Sequence, residues 1–377
     1  MDVIAVALLA IVLLAYTYVG YPLVIGALAR ASSRRASAPN PAGPTPLVSV
    51  CLPVFNGAKF LPAKIGSLLA QDYPAERIEI LIFCDGCTDD SEETARRLAA
   101  SEAAGARIRV FASPVRKGKP AALNALGAEA RGELLLLNDV RQPFSSNAVR
   151  ALVRALDDEG VGCAAGTLVL RGEAASGVYW RYENWIRRRE SCFRGVVGMS
   201  GAIAMMRRAD LMPLATDLIL DDVYIPMQLA LRGRRVALVT EAEAYDVAFE
   251  DEHEFRRKVR TLAGNYQLFA LMPALLVPFR NPIWFEVTSH KLMRLVAPWL
   301  MLLVALASIA GALPGNPPMT TMVMRLLLLA QLAFYGAAAA GRRSGRVGGV
   351  ARTFVVLNAA AIVGLFRQLA GRQRVTW

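Results

Sequence analysis

Apolar and polar positions divide this chain into blocks. Residues Val3 to Ala29 form an uncharged apolar run long enough to span a bilayer. Three further apolar stretches, roughly Leu295 to Leu313, Met319 to Ala340 and Val350 to Leu369, occupy the other end. Between them, from Leu47 to about Tyr266, polarity is mixed, and this part is long enough to bury its own core. Short apolar runs there read as strands at Leu47–Val54, Arg77–Cys84, Arg107–Phe111 and Glu133–Asn138. The stretches between them read as helices: one ending near Ala70, then Asp90–Ala103, Pro120–Ala130 and Ser146–Leu156. This βαβα order predicts a parallel sheet covered by helices. The pattern then becomes less regular. It reads as a strand at Val161–Leu170, a long helix at Gly177–Arg194, a strand at Ala202–Met206, a helix at Val223–Leu231 and a strand at Arg234–Val239.

These blocks predict five parts. Residues 1–29 form an N-terminal transmembrane helix, and 30–46 a basic, proline-rich linker whose four prolines and one glycine break helix and strand alike. Residues 47–265 form the α/β domain. Residues 266–282 form an interfacial segment, with Asn265–Pro278 too short for a span. Residues 283–377 form a membrane region with about three hydrophobic helices.

Composition agrees with a membrane protein. Of 377 residues, 55% are hydrophobic, and the mean hydropathy is +0.36. The formal net charge is +12, with many basic residues at membrane edges: Arg30, Arg34, Arg35, Lys291, Arg294, Arg342, Arg343 and Arg346. The chain starts Met1-Asp2, and its first positive charges follow the apolar run. This predicts an uncleaved anchor with the α/β domain in the cytoplasm and contact with anionic membrane lipids. Nucleic-acid binding is excluded as a main function, because no basic stretch is interleaved with exposed aromatics in a known module. The five cysteines lack a second CxxC pair and clustered histidines, so reduced thiols are expected.

The candidate chemistry sits mostly at strand ends, where open α/β sheets bind ligands. Leu134–Leu137 reads as a strand buried on both faces, and it leads through Asn138 to Asp139, a carboxylate costly to bury without a cation or donors. Pro53-Val54-Phe55-Asn56-Gly57 ends the first strand, and Asp85-Gly86-Cys87-Thr88-Asp89-Asp90 the second. Arg116-Lys117-Gly118-Lys119 with Asn124 precedes the fourth, and Asp221-Asp222 opens a later helix. Each has a plain explanation on its own. Asp-Gly is a common turn, Thr88 or Asp89 can cap a helix, exposed lysines are solvated, and acids suit helix N-termini. Their order along one α/β domain is what carries information.

That order, from Val48 to about Arg260, resembles the family 2 glycosyltransferases. It is most similar to the membrane-bound branch with bacterial polysaccharide synthases and ceramide glucosyltransferases. The resemblance implies a GT-A fold with a Rossmann-like mixed sheet, flanked by transmembrane helices. It also implies transfer of a hexosyl group with inversion, from a nucleotide-sugar (a UDP-sugar first) to a lipid, lipid-linked glycan or growing polysaccharide of the cell envelope. A divalent cation, Mg2+ or Mn2+, is implied as cofactor. Carried over by residue, Pro53, Phe55 and Asn56 would line the nucleotide pocket, and Asp85 would accept from base or ribose. Lys119 and Asn124 would face the diphosphate, Asp139 would hold the metal, and Ser200-Gly201-Ala202 would floor the acceptor site. Asp222 would be the catalytic base with Asp221 beside it.

Three departures from the pattern stand out. Arg141 replaces the usual second acid of the metal motif and brings a cation toward the diphosphate. The Gln-x-x-Arg-Trp motif is missing; Arg260 stands at the matching place and could contact the diphosphate, without a following Trp. Gly57 and Cys87 stand where many members carry Glu and Ser. Trp180, Tyr182, Trp185 and Ile186 interleave with arginines, which reads either as an amphipathic helix packed on domain or membrane, or as an acceptor platform using Trp185. The competing class is a non-catalytic membrane scaffold or accessory subunit of a polysaccharide-export complex, favoured only by Arg141. A transporter is disfavoured because no apolar run carries a central carboxylate. The expected location is the cell (inner) membrane. One conflict remains: with four spans the basic tail Gly371-Arg372-Gln373-Arg374 falls outside, so Val350–Leu369 is alternatively a re-entrant or surface helix.

Overall fold

A computed structural model of the protein describes residues 2–32, 45–101, 107–171, 178–247 and 251–373. Most of the predicted linker and the end of the tail lie outside the described residues. Helices α1 (Val3–Ala15) and α2 (Tyr21–Ala31) join through a π turn, Tyr16–Gly20, into one rod. Asp2 caps its start by accepting from the Ile4 amide at 3.0 Å.

The α/β domain follows as β1 (Val48–Val54), α3 (Leu61–Leu69), β2 (Ile78–Asp85), α4 (Ser91–Ala99), β3 (Ile108–Ser113), α5 (Lys119–Glu129), β4 (Leu134–Asn138) and α6 (Ala148–Ala155). It continues through β5 (Val161–Arg171), α7 (Val178–Phe193), β6 (Ile203–Arg207), α8 (Asp221–Leu231) and β7 (Arg235–Val247). The sheet order is β3-β2-β1-β4-β6-β5-β7. β1 through β4 are parallel, as the pattern predicts. β6 then runs antiparallel to both β4 and β5, while β5 and β7 are parallel, so the sheet is mixed. β7 reaches Val247 rather than stopping at Val239, because its outer half pairs with the outer half of the long β5.

This topology sets the position of the site. β2, β1 and β4 lie side by side, so their carboxyl ends open on one edge. Because β6 is antiparallel to β4, its beginning lies at the end of β4, with Ile203 paired to Asn138. The residues just before β6 therefore face the residues just after β4. The strands are held by burial on both faces: every residue of β1 and β4 is buried. A fully buried aliphatic side chain contributes about 1.5–3 kcal/mol relative to exposure.

Helix α9 (Asp251–Leu271) runs straight through the predicted boundary at residue 265. A short 3-10 turn, Pro273–Leu276, follows, so the predicted interfacial segment is not one helix. Helix α10 (Trp284–Glu286) then passes through a π turn, Val287–Leu292, into α11 (Met293–Ala312). α12 (Pro318–Ala340) and α13 (Gly345–Leu369) complete the described chain. Four helical rods are long and apolar enough to cross a membrane: Val3–Ala31, Trp284–Ala312, Pro318–Ala340 and Gly345–Leu369. At one end Gly311 meets Val3 and Met324. At the other, the Tyr16 hydroxyl lies 2.7 Å from Ser289 Oγ.

α13 packs on both the other membrane-length helices and the α/β domain. Phe354 stacks edge-on against Tyr18 and Phe334. Further along, Gly364 sits so close to α9 that a Cβ there would lie 2.9 Å from the Ala263 amide nitrogen. The second half of α13 thus packs on a helix of the α/β domain.

Candidate active site

Three acids and one lysine meet where the strand ends open. Asp139 follows β4, Lys119 is the first residue of α5, and Asp221 and Asp222 are the first two of α8. Gly118, at φ 92°, takes a backbone conformation that favours glycine and turns the chain into α5. Lys119 Nζ lies 2.9 Å from Asp139 Oδ1 and 3.1 Å from Asp221 Oδ2. Burial alone would lower the lysine pKa; its pairing with Asp139 and Asp221 raises it well above the usual value. Lys119 is therefore a fixed cation between two carboxylates.

Gly201 closes the cluster from the start of β6. A Cβ there would stand 3.5 Å from Asp139 Oδ2, 3.6 Å from Asp222 Oδ2 and 3.6 Å from Lys119 Nζ. The small residue leaves a gap that these three groups share. Ser200 is beside it, with its hydroxyl 3.3 Å from the Ala202 amide.

Asp222 is the perturbed member. Its Oδ1 is buried with no hydrogen-bond partner among the described residues. Burial, and then the adjacent Asp221, push its pKa up to about 6 against the opposing pull of Lys119 and Lys291. A carboxylate in that range is a more effective proton acceptor than an ordinary one.

The loop after β4 is held from two sides. Lys64 of α3 is fully buried and donates to the Gln142 carbonyl at 2.8 Å, with its ammonium 3.3 Å from the centre of the Phe144 ring. Burial pushes its pKa well below the usual lysine value. On the other side Asp246 of β7 pairs with Arg141 and accepts from Gln142 Nε2 at 2.8 Å. The structure thus gives Arg141 a carboxylate partner on β7. Neither Lys64 nor Asp246 stands out in the sequence. Asp246 lies near the end of a strand read as eight residues too short, and Lys64 looks like a solvated helix position.

The other expected site residues separate into two groups. At the ends of β1 and β2, Phe55 stacks under the Arg116 guanidinium at 3.4 Å from its ring centre. Asn56, at φ 48°, accepts from the Thr88 amide at 2.8 Å and donates to Thr88 Oγ1 at 3.0 Å. Pro53 lies in β1 opposite Phe83. These contacts tie the ends of β1 and β2 into one wall. Asp85 is fully buried, and its oxygens accept from the Lys117 and Gly118 amides at 2.8 and 2.7 Å. It shapes the loop that delivers Lys119.

The second group is committed elsewhere. Asn124 donates to the Leu214 carbonyl and accepts from the Leu214 amide, both at 2.8 Å. That two-way clamp fastens α5 to the segment leading to α8. Arg260 donates to the Ile219 carbonyl at 3.0 Å, two residues before Asp221, so it braces the approach to the acid pair. Trp185 is not at the cluster: its ring lies 2.9 Å from where a Gly26 Cβ would be, on α2. Ile186 beside it is buried with Tyr21 and Ile25. α7 is the amphipathic helix packed on the membrane anchor, one of its two readings.

All five cysteines are free. No group of three or more His, Cys, Asp or Glu residues suited to a metal occurs among the described residues. Asp139 fits a hard cation as a single ligand: Oδ1 is taken by Lys119, while Oδ2 faces the gap at Gly201. Mg2+ and related ions bind through one or two carboxylates with substrate phosphates supplying the rest.

The fold and site together define an α/β domain of GT-A type, with an acidic cluster at the strand ends, joined to membrane-length helices. Residues 49–214 match the profile described as Glycosyl transferase family 2, and the chain carries a domain of that family. An N-acetylglucosaminyltransferase of Rhizobium sp. (strain N33) is 27% identical over 177 residues, covering 45% of this chain and 39% of that protein. Glycosyltransferase AglD of Haloferax volcanii is 36% identical over 95 residues, covering 24% of this chain and 15% of that one. The chain thus spans well under half the length of these relatives. Mannosyltransferase PcManGT from Pyrobaculum calidifontis, solved in complex with GDP-Man and Mn2+, superposes with a TM-score of 0.78 at 23% identity, over 97% of this chain and 99% of that one. That likeness extends the shared fold through the membrane-length helices.

Proposed function

We propose that the chain is a membrane-bound inverting glycosyltransferase that uses a nucleotide-sugar donor. The observation that carries this reading is Asp222: one oxygen is buried without a partner, and the other faces the gap shared with Asp139 and Lys119. An acceptor hydroxyl in that gap has a ready proton acceptor. Its oxygen attacks the anomeric carbon as its proton passes to Asp222. The carbon–oxygen bond to the β-phosphate breaks, and the nucleoside diphosphate leaves with the electron pair. A single displacement inverts the centre and needs no second nucleophilic carboxylate.

Lys119 is placed to meet the charge that develops on the leaving phosphate. Asp221 keeps Lys119 in position and raises the basicity of Asp222. A divalent cation on Asp139 Oδ2, completed by donor phosphates, would add Lewis-acid stabilisation of the same leaving group. The nucleotide wall is Pro53, Phe55 and Asn56, and Gly201 with Ser200 leaves room for the acceptor. The membrane-length helices favour an acceptor that is a lipid or lipid-linked glycan, with the domain on the cytoplasmic side of the cell membrane, where nucleotide-sugars are made.

The direct experiment is a donor screen on the purified full chain in detergent or lipid, measuring nucleoside diphosphate released from a panel of UDP- and GDP-sugars. Turnover of one donor above background supports the reading. No release from any donor, with any membrane extract as acceptor, contradicts it.

A further inference from the structure

The run Arg116-Lys117-Gly118-Lys119 delivers two of its cations to different places. Lys119 meets Asp139 and Asp221, beyond the end of β4. The Arg116 guanidinium instead lies on the face of Phe55, just past β1, at 3.4 Å from the ring centre. Its backbone is pinned there. Gly86 follows β2 at φ 62°, and a Cβ on it would stand 2.4 Å from the Arg116 nitrogen and 2.8 Å from its Cα. Only glycine admits that approach. The Gly86 amide donates to the Ser113 carbonyl at 2.9 Å, and Asp85 accepts from the Lys117 amide at 2.8 Å. The loop after β3 is thus laid across the end of β2, with the half-buried Arg116 side chain over Phe55.

A stacked guanidinium keeps its N–H groups in its own plane. It offers donors in a rigid fork and no acceptor. Such a fork suits two adjacent acceptors on a flat partner. Guanine has that pair, O6 and N7, on the edge away from its ribose. Adenine places an amino group beside N7. Uracil interposes an N–H between its two carbonyls, and cytosine has adjacent acceptors only beside the ribose.

The sheet places this fork at the right remove from the acids. β2, β1 and β4 are neighbours in that order. Arg116 crosses the end of β2, and Lys119 faces the end of β4, so two strand spacings, roughly 10 Å, separate them. A nucleoside diphosphate separates its base from its β-phosphate on the same scale. With its phosphates at Lys119 and Asp139, such a molecule carries its base to Phe55 and Arg116.

We infer that Arg116 is the residue that selects the donor base, and that the base it selects is guanine. The fork donates to O6 and N7, and Phe55 holds the fork flat. The donor class is then a GDP-sugar, in place of the UDP-sugar that the sequence resemblance put first. This assignment rests on the transferase reading for the presence of a nucleotide at this wall.

The test is isothermal titration of the full chain in detergent, with Mn2+ present, against GDP, UDP, CDP and ADP. GDP is expected to bind tightest, by roughly tenfold or more over UDP. Inosine diphosphate, which keeps O6 and N7, should hold most of that affinity. 7-deaza-GDP, which has carbon in place of N7, should lose most of it. Arg116→Met keeps an apolar contact on Phe55 and should bring GDP down to the level of UDP, with UDP changed less than about threefold. Arg116→Lys keeps the charge without the fork and should lose the preference too. Thermal unfolding of both variants checks their folding, and the analogues, used on the unaltered chain, decide the matter even if a variant fails to fold. Tighter binding of UDP, CDP or ADP than of GDP overturns the assignment, as does 7-deaza-GDP binding like GDP. Equal weakening of GDP and UDP by Arg116→Met also overturns it and gives Arg116 to the phosphates. Binding of none of the four diphosphates fails the transferase reading itself, whereas tight binding without preference for guanine fails this assignment alone.

Discussion

Lys119 Nζ lies 2.9 Å from Asp139 Oδ1. A cation carried by the first turn of α5 thus meets the carboxylate that follows β4, and the same ammonium reaches Asp221 on α8. Three separate elements are joined through one side chain. Lys119→Met removes that joint and leaves two carboxylates unpaired in a largely buried place. Breaking such a pair costs about 3 kcal/mol or more. A lower melting temperature and at least a hundredfold loss of kcat/KM are expected, measured by thermal unfolding and nucleotide release.

Metal removal separates the contributions to leaving-group stabilisation. Activity is expected to vanish in EDTA and to return with Mg2+ or Mn2+. Asp139→Asn should raise the metal concentration needed for half-activation by tenfold or more. With one protein ligand, the metal should bind weakly until donor phosphates complete its shell. Isothermal titration of Mn2+ with and without nucleoside diphosphate checks this. Full activity in EDTA would leave the leaving group to Lys119.

Much of the fold is legible in the residue pattern because β1 to β4 are apolar on both faces and bounded by turn residues. The return through β5, β6 and β7 is less legible, since nothing local says that β6 runs antiparallel between β4 and β5. That one reversal brings Gly201 to Asp139. The site's acids and Lys119 announce themselves by order along the chain. Their supports do not: Lys64 and Asp246 reach the loop after β4 across 78 and 105 residues of sequence. Trp185 shows the limit from the other side. Aromatic and arginine residues at helical spacing mark an amphipathic face, but only the close approach of Gly26 says what covers it.

The pH dependence follows from Asp222. Its folded pKa is raised to about 6, above the usual carboxylate value near 3.8. The base form is present above that pKa, so kcat/KM should fall about tenfold per pH unit below 6 and be flat just above it. The stability sign is opposite. The folded state holds this proton more tightly than the unfolded one, so Asp222 costs stability as pH rises from about 4 to 6. Asp222→Asn should flatten that arm of the rate profile and leave the melting temperature at pH 7 unchanged or higher.

The packing of α13 on α9 predicts topology. If Gly364 stays against Ala263 of the α/β domain, the residues after α13 stay on the domain's side of the membrane. Three crossings, through α1–α2, α11 and α12, then place the basic tail with the other basic loops. A cysteine introduced at Gln373, with the native cysteines replaced, should resist an impermeant thiol reagent in intact cells and react after permeabilisation. Labelling in intact cells would make α13 a fourth span.

The central claim is that Asp222 takes the acceptor proton. The most direct measurement is transfer by Asp222→Asn beside donor binding by the same variant, using the donor found in the screen. The account predicts loss of transfer by at least a thousandfold, with the donor dissociation constant within about threefold of the wild type and the fold intact. Transfer at the wild-type rate in that variant would contradict it.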